Sequence, residues 1–284
     1  MMKLAHARDT YKFGNTEMDF KKETVIMGIL NVTPDSFSDG GKYGRIDTAL
    51  KHAEGMLRDG AKIIDVGGES TRPGHIPISL EEELERIVPV IKALTKELGC
   101  TVSIDTYKAG VAEEAVLAGA QIINDIWGAK REPYIADVAA KYNVPIILMH
   151  NREKAVYESD FMDEVIADLE ESVRIAAAAG VAHENMWLDP GIGFARNAIQ
   201  NIWTMQGLDR ISEMGYPVLL GTSRKSLIGS VLGLPVKERL EGTGATVCYG
   251  IEHGCHIMRV HDVREIARMA KMMDVLTGKS DFEQ

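Results

Sequence analysis

The sequence predicts an α/β fold: a closed (β/α)8 TIM barrel with a short N-terminal β-hairpin. Three observations carry this. Short apolar runs alternate with amphipathic stretches eight times along the chain. Those runs are apolar on both sides of the pleat, as parallel strands buried on both faces must be. The 284 residues, 45% hydrophobic, are enough for one such barrel and its core. An open doubly wound sheet would carry a glycine-rich dinucleotide fingerprint after its first strand, and none follows here. The chain is read as one domain over 1–284, with 1–22 as the hairpin segment and 23–278 as the barrel.

The elements follow in order. Gly14-Asn15 between short mixed segments marks a hairpin over Tyr11 to Phe20. Val25 to Asn31 is the first barrel strand, and Asp47 to Asp59 its helix, with Asp47 as cap and Gly60 past the end. Ile63 to Val66 is the second strand. Ser79 and Glu82 form a capping box for a helix from Leu80 to Leu98. Thr101 to Asp105, Gln121 to Asp125, Pro145 to His150 and Asn185 to Asp189 are the next four strands. Their helices are Lys108–Ala118, Pro133–Tyr142, Phe161–Ala179 and Ile199–Met214. Pro217 to Gly221 is the seventh strand, followed by helices near 227–232 and 236–253. Ile257 to Val260 is the eighth, and Val263 to Leu276 the last helix.

The net charge of −10 and the absence of any Lys/Arg-rich run exclude a general nucleic-acid binder. Three cysteines, Cys100, Cys248 and Cys255, at no metal-like spacing read as reduced thiols. No signal-like or membrane-spanning stretch is present, so a cytoplasmic location with no membrane partner is expected. His253, Cys255 and His256 resemble metal ligands. They precede the eighth strand at the far end of the barrel, so they are read as solvent-facing turn residues. Met269, Met272 and Met273 on the last helix are packing residues or, if exposed, part of a dimer face. A homodimer is expected.

In such a barrel function lies where strands end. Here they end in Asn31, Asp65, Asp105, Asn124-Asp125, Met149-His150 and Asp189; Lys225 lies just past the seventh strand, Arg259 in the eighth, and His261 after it. Asp105, Asn124 and Asp189 offer acceptors for a flat heterocycle rich in N–H groups, because a carboxylate accepts two parallel N–H bonds. Lys225 and Arg259, with Arg72, Arg224 and His261 nearby, suit phosphate or carboxylate. Lys225 is read as a binding cation rather than a Schiff-base nucleophile, given its flanking arginine and the acceptors. The loop after the first strand is crowded: Asp35, Asp39, three hydroxyls and Phe37 precede Gly40-Gly41.

The run Met27-Gly-Ile-Leu-Asn-Val-Thr-Pro-Asp-Ser-Phe-Ser-Asp-Gly-Gly resembles the first signature of the dihydropteroate synthases, and Gly67-Gly-Glu-Ser-Thr-Arg-Pro-Gly the second. Ser103-Ile-Asp-Thr, Asn124-Asp-Ile, Asp189-Pro-Gly-Ile-Gly-Phe, Gly221-Thr-Ser-Arg-Lys-Ser and Arg259-Val-His follow in family order. The resemblance spans nearly the whole chain. It implies condensation of 6-hydroxymethyl-7,8-dihydropterin pyrophosphate with p-aminobenzoate, releasing pyrophosphate, with sulfonamides as inhibitors. It implies that Asp105, Asn124, Met149, Asp189, Phe194, Gly221, Lys225 and Arg259 hold the pterin. Phe37, Thr71, Arg72, Pro73, Lys225 and Ser226 would shape the p-aminobenzoate site. Asn31, Arg72, Arg259 and His261 would hold pyrophosphate, with Mg2+ near Asn31. Asn31, Asp35, Lys225, Arg259 and His261 would be the catalytic set. Asp35 and Phe37 would belong to a lid swinging on Gly40 and Gly41.

Two positions depart from the family pattern. Ala195-Arg196-Asn197 stands where a lysine and then a threonine are common, and Leu227 where phenylalanine is usual. Beside Lys225 and Ser226, Leu227 is expected to loosen the p-aminobenzoate site and alter sulfonamide sensitivity. The alternatives on the same barrel are a methyltetrahydrofolate-type methyltransferase and a non-catalytic pterin-binding paralogue. The first would not need Phe37, Thr71-Arg72 and the pyrophosphate cations, and the second would show damaged loops.

Overall fold

A computed structural model describes residues 8–33, 41–69 and 77–281. Strands β1 (Thr10–Phe13) and β2 (Thr16–Asp19) pair antiparallel as the expected hairpin, Thr10 opposite Asp19. Eight parallel strands follow: β3 (Val25–Asn31), β4 (Ile63–Gly67), β5 (Thr101–Asp105), β6 (Ile122–Asp125), β7 (Ile146–Met149), β8 (Met186–Asp189), β9 (Leu219–Leu220) and β10 (Ile257–Val260). Their order is β8-β7-β6-β5-β4-β3-β10-β9. A parallel bridge between Leu188 and Val218, with Leu188 N–H donating to Pro217 O at 2.8 Å, closes β8 onto β9. The eight strands therefore form a barrel.

Helices α1 (Gly41–Arg58), α2 (Leu80–Ala93), α3 (Ala109–Ala118), α4 (Tyr134–Tyr142), α5 (Phe161–Ala178), α6 (Ala198–Gln206), α7 (Leu208–Ser212), α8 (Ser226–Leu232), α9 (Leu240–Glu252) and α10 (Val263–Leu276) lie between the strands. The side chains alternate in strict period two. Ile26, Leu30, Ile64, Val66, Val102, Ile104, Ile123 and Leu148 face outward into the core beneath the helices. Val25, Met27, Ile63, Ile122, Ile147, Trp187, Leu219 and Ile257 face inward. The hairpin joins this inner cluster through Tyr11, Met18 and Phe20. Its Tyr11 ring meets Trp187 edge-on at 5.1 Å, and Phe20 meets Trp187 at 5.7 Å. The hairpin thus plugs the N-terminal end of the barrel with apolar surface, and the other end is left for polar chemistry.

Several boundaries differ from expectation. α1 begins at Gly41, so Asp47 is inside the helix rather than its cap, and Gly41 is the helix's first residue. The segment Gly-Lys-Tyr-Gly-Arg shows no apolar period and so hides the first turn. The Ser79 side chain accepts from Glu82 N–H as expected, but the Glu82 carboxylate turns to Arg86 four residues on, so the reciprocal half of the capping box is replaced by an ion pair. α2 ends at Ala93 and continues as one π-turn, Leu94–Leu98. The helix expected over 199–214 breaks at Gly207, where a β-carbon would lie 2.6 Å from Met162 Cε. The helix expected over 236–253 is a 3-10 turn, Val236–Glu238, followed by α9.

The turn before β10 is only partly solvent-facing. Cys255 is wholly buried, and His256 Nδ1 accepts from Val218 N–H while its ring packs on Phe20 at 5.4 Å. His253 pairs with Asp209, and among the described residues no metal-holding group of three ligands occurs. Leu227 packs into the core beneath the helices, 5% exposed. Met269 and Met273 pack against that core, whereas Met272 is exposed. No described helix is long and apolar enough to cross a membrane.

Candidate active site

The same alternation that fills the barrel builds its polar rim. Counting by twos from the inner apolar residues, Val25 and Met27 lead to Asn31, and Ile63 leads to Asp65 and Gly67. Thr101 and Ser103 lead to Asp105, Ile122 to Asn124, Ile147 to Met149, Trp187 to Asp189, Leu219 to Gly221, and Ile257 to Arg259 and His261. The described strand residues expected at the site thus share the inward register at the C-terminal end of the barrel.

Arg259 is the centre of the rim. Its Nε donates to Asp65 Oδ2 at 2.6 Å and its Nη2 to Asp105 Oδ2 at 2.6 Å. Asn124 Nδ2 donates to Asp65 Oδ2 at 3.2 Å. Asp65 is 0% exposed. Burial pulls Arg259 down, but Asp65 and Asp105 more than reverse this and hold it protonated. Burial pushes the Asp105 carboxyl up, against the pull of Arg259. Asp65 Oδ1 and Asp105 Oδ1 are buried without a hydrogen-bond partner among the described residues. Gly67 sits between Asn31 and Asp105 in register; a β-carbon there would lie 3.6 Å from Asn31 Oδ1 and 3.7 Å from Asp105 Oδ2.

Across the mouth, Asp189 Oδ1 accepts from Gly191 N–H at 2.7 Å. Burial pushes Asp189 up and Lys225 opposes it. Lys225 donates to Ile192 O, and its Nζ stands 4.7 Å over the Phe194 ring. Burial pushes the Lys225 ammonium down to about 8, against the attraction of Asp189. A β-carbon at Gly221 would lie 3.8 Å from Lys225 Nζ and 3.9 Å from Asp189 Oδ2, so this glycine keeps a flat gap open between them. Lys225 precedes α8 in extended conformation, after Arg224 at φ +58°. Arg239 braces that turn by donating to Arg224 O at 2.9 Å and Lys225 O at 3.2 Å. Ser226, the first residue of α8, is exposed. The Arg224 guanidinium is taken up by Asp262 at 2.9 Å, so it is an ion-pair partner rather than a cation of the mouth. Ser223 Oγ accepts from His261 N–H at 3.1 Å and lies 2.9 Å from His261 Nδ1.

Asn31, Asp105, Asn124, Met149, Asp189, Phe194, Gly221, Lys225, Ser226, Arg259 and His261 are therefore all at one end of the barrel. Asp35, Phe37, Thr71, Arg72 and Pro73 lie outside the described residues. Two groups that the sequence reading did not assign to a ligand take part in the site. Asp65 shares the register of Gly67, so counting by twos was the available signal. Arg239 lies in a helix-flanking turn with no signal of its own.

Acceptors on one wall, a cation on the other and a shared cationic floor suit a flat N–H-rich ring carrying an anionic tail. Comparison with known proteins agrees. Residues 27–261 match the family described as "Pterin binding enzyme". The chain is 61% identical over 262 residues to a dihydropteroate synthase of Bacillus subtilis, covering 92% of each. A Clostridium difficile dihydropteroate synthase solved in the presence of pteroic acid superposes with a TM-score of 0.89 at 49% identity, covering 91% of this chain and 98% of that one. A Yersinia pestis dihydropteroate synthase in a sulfonamide drug complex gives 0.86 at 38% identity, covering 95% and 99%. With its seven motifs in order on the strand ends and relatives this similar over nearly its full length, the chain belongs to the pterin binding enzymes as a dihydropteroate synthase.

Proposed function

We propose that the barrel mouth joins the dihydropterin methylene carbon to the p-aminobenzoate nitrogen by a dissociative displacement in which positioning and charge do the work. The C–O bond to pyrophosphate breaks, the C–N bond forms, and the amine gives up its proton after attack. An aryl amine needs no prior deprotonation, so no strong general base is required. Asp105, Asn124, Asp189 and the Lys225–Phe194 pair hold the pterin, with Met149 lining the slot and Gly221 leaving room for the ring. The buried acceptor atoms Asp105 Oδ1 and Asp65 Oδ1, which have no partner among the described residues, carry this reading: they suit the N–H edge of such a ring. Arg259 fixes the two carboxylates, and the partial positive charge developing on the ring is matched by that acidic wall.

Asn31, Arg259 and His261 are assigned to pyrophosphate, with Arg72 of the second loop. Asn31 offers one neutral oxygen at the mouth. This fits a hard divalent cation that keeps water and phosphate oxygens as its other ligands. Mg2+ held there would neutralise the departing pyrophosphate. Ser226, exposed beside Lys225, fits the p-aminobenzoate side; Phe37, Thr71, Arg72 and Pro73 complete it by resemblance, as Asp35 does for the lid. Sulfonamides would bind in place of p-aminobenzoate. The chain is taken to work in the cytoplasm, and as one domain over 1–284; Tyr11, Met18 and Phe20 of the hairpin share the inner core of the barrel, which supports the single-domain reading. A homodimer is supported by exposed apolar side chains on neighbouring helices, Ile199 and Trp203 of α6 and Val231 of α8.

The decisive assay is pyrophosphate release with both substrates, each alone, and neither. Release is expected only with both and a divalent cation. Lys225→Ala and Arg259→Ala are each expected to lower kcat/KM by roughly 2–4 kcal/mol in transition-state stabilisation. Release without the amine, or unchanged kinetics in both variants, would sink the assignment.

A further inference from the structure

We infer that Arg196, held from behind by His150 and Asp168, is a positioning residue that sets the loop after β8 and through it the Asp189 carboxylate. The inference rests on the pterin role of Asp189.

That loop needs holding. Gly191, Gly193 and Ala195 all have positive φ, at +71°, +85° and +46°, and Ala195 adopts this without being glycine. Arg196 crosses beneath the loop. Its Nη1 donates to Gly191 O at 2.6 Å and its Nη2 contacts His150 Nδ1 at 2.8 Å. Gly191 N–H donates to Asp189 Oδ1, and His150 N–H donates to Asp189 O at 2.9 Å. One guanidinium therefore ties the ends of β7 and β8 to the turn that orients the carboxylate. The next residue, Ile192, accepts from Lys225, so the same loop also meets the opposite cation.

The protonation pattern follows from donor arithmetic. Arginine carries only donors, so His150 Nδ1 must accept. Nε2 then bears the hydrogen and donates to Asp168 Oδ2 at 2.8 Å. Asp168 Oδ2 also accepts from Arg152 Nε at 2.5 Å. The imidazole, 0% exposed, thus hands the negative charge of Asp168 to a buried cation whose hydrogen bonds on the loop side go to a neutral carbonyl. The groups facing His150 are Asp168 of α5, Arg196, Lys130 after β6, Arg152, and the Tyr157 ring stacked at 6.3 Å. A proton on Nδ1 would point at the guanidinium and break the chain. Burial pushes the imidazole down to about 4, against the pull of Asp168, and Arg196 lowers it further.

Arginine suits this place because its fork reaches two acceptors at once, whereas lysine brings one nitrogen. Besides standing 5.8 Å over the Phe161 ring, Arg196 bonds to Gly191 and His150, at the ends of the strands that carry Asp189 and Met149. A positioning role therefore predicts an asymmetric defect. Arg196→Met is expected to raise KM for the dihydropterin pyrophosphate at least tenfold, with KM for p-aminobenzoate unchanged within twofold. Arg196→Lys should recover part of the loss, and Asp168→Asn should reproduce it. Nitrogen-15 spectra of the intact protein should show His150 as the Nε2–H tautomer at neutral pH, and its ring should titrate at higher pH in Arg196→Met. Equal changes in both KM values, no change in either, or an Nδ1–H tautomer in the unaltered protein would overturn the inference. Asp189→Asn separates it from the underlying reading. If that variant leaves pterin KM unchanged, the role of Asp189 fails; if it raises KM and Arg196→Met does not, the positioning chain alone fails.

Discussion

At the scale of single residues, the mouth is governed by how buried charges are partnered. Arg259 lies between Asp65 and Asp105 at hydrogen-bond distance from each, and Asn124 shares the Asp65 oxygen. A buried pair contributes little over apolar packing, but removing one partner strands the other charge and costs about 3–5 kcal/mol. Asp65→Ala is accordingly expected to lose about 3 kcal/mol of unfolding free energy and to depress kcat/KM, because Arg259 would then pull on Asp105 alone. Denaturant unfolding and steady-state kinetics on one preparation check both. Unchanged stability would mean that Asp105 alone satisfies the guanidinium. Asp65 stands in the chain as one polar residue in an apolar strand. Its partner is 194 residues away, so only the closed sheet could show that the two meet.

At the scale of elements, the strands were more legible than the helices. A strand buried on both faces has few residues and one period, so Val25–Asn31 and Ile257–Val260 were read to the residue. Helix ends depend on caps and neighbours. α1 starts six residues before its expected cap, and the 199–214 helix is broken where Met162 of α5 presses on Gly207. α8 is the instructive case. Its sequence neighbours Lys225 and Ser226 flank the mouth, yet Leu227, one residue on, is turned into the core, because successive helical side chains point 100° apart. Leu227→Phe is therefore expected to act through packing: a loss of about 1–3 kcal/mol from the added volume, with sulfonamide inhibition unchanged. Thermal unfolding and an inhibition titration test it, and a shifted inhibition constant with unaltered stability would contradict it.

At the scale of the molecule, the barrel has an apolar end sealed by the hairpin and a polar end that carries the site, and its buried histidines link it to pH. His150 and His256 are both pushed down to about 4 by burial, from about 6.5. Between those values the unfolded chain binds protons that the folded chain does not, so stability rises with pH across that window and is lost as pH falls. For the fully buried His150 the loss from pH 6.5 to 4 is roughly 3 kcal/mol. Buried Asp105 and Asp125, both pushed up to about 7, act with the opposite sign in this window, so the histidine is isolated by difference: between pH 7 and 4.5 the unaltered protein should lose more unfolding free energy than His150→Gln, and parallel profiles would refute this. The sequence by itself determined the barrel and most of the rim groups, because strand length, apolar runs and strand-end position are local properties, whereas Arg224 needed the structure to show its pairing with Asp262. Only the tertiary structure decided which of those groups meet. Arg259 with Asp65 and Asp105, and Arg196 with His150 and Asp168, are contacts made by closing the sheet and laying α5 against it. Hydrogen bonds between residues far apart in the chain leave no periodic trace in it.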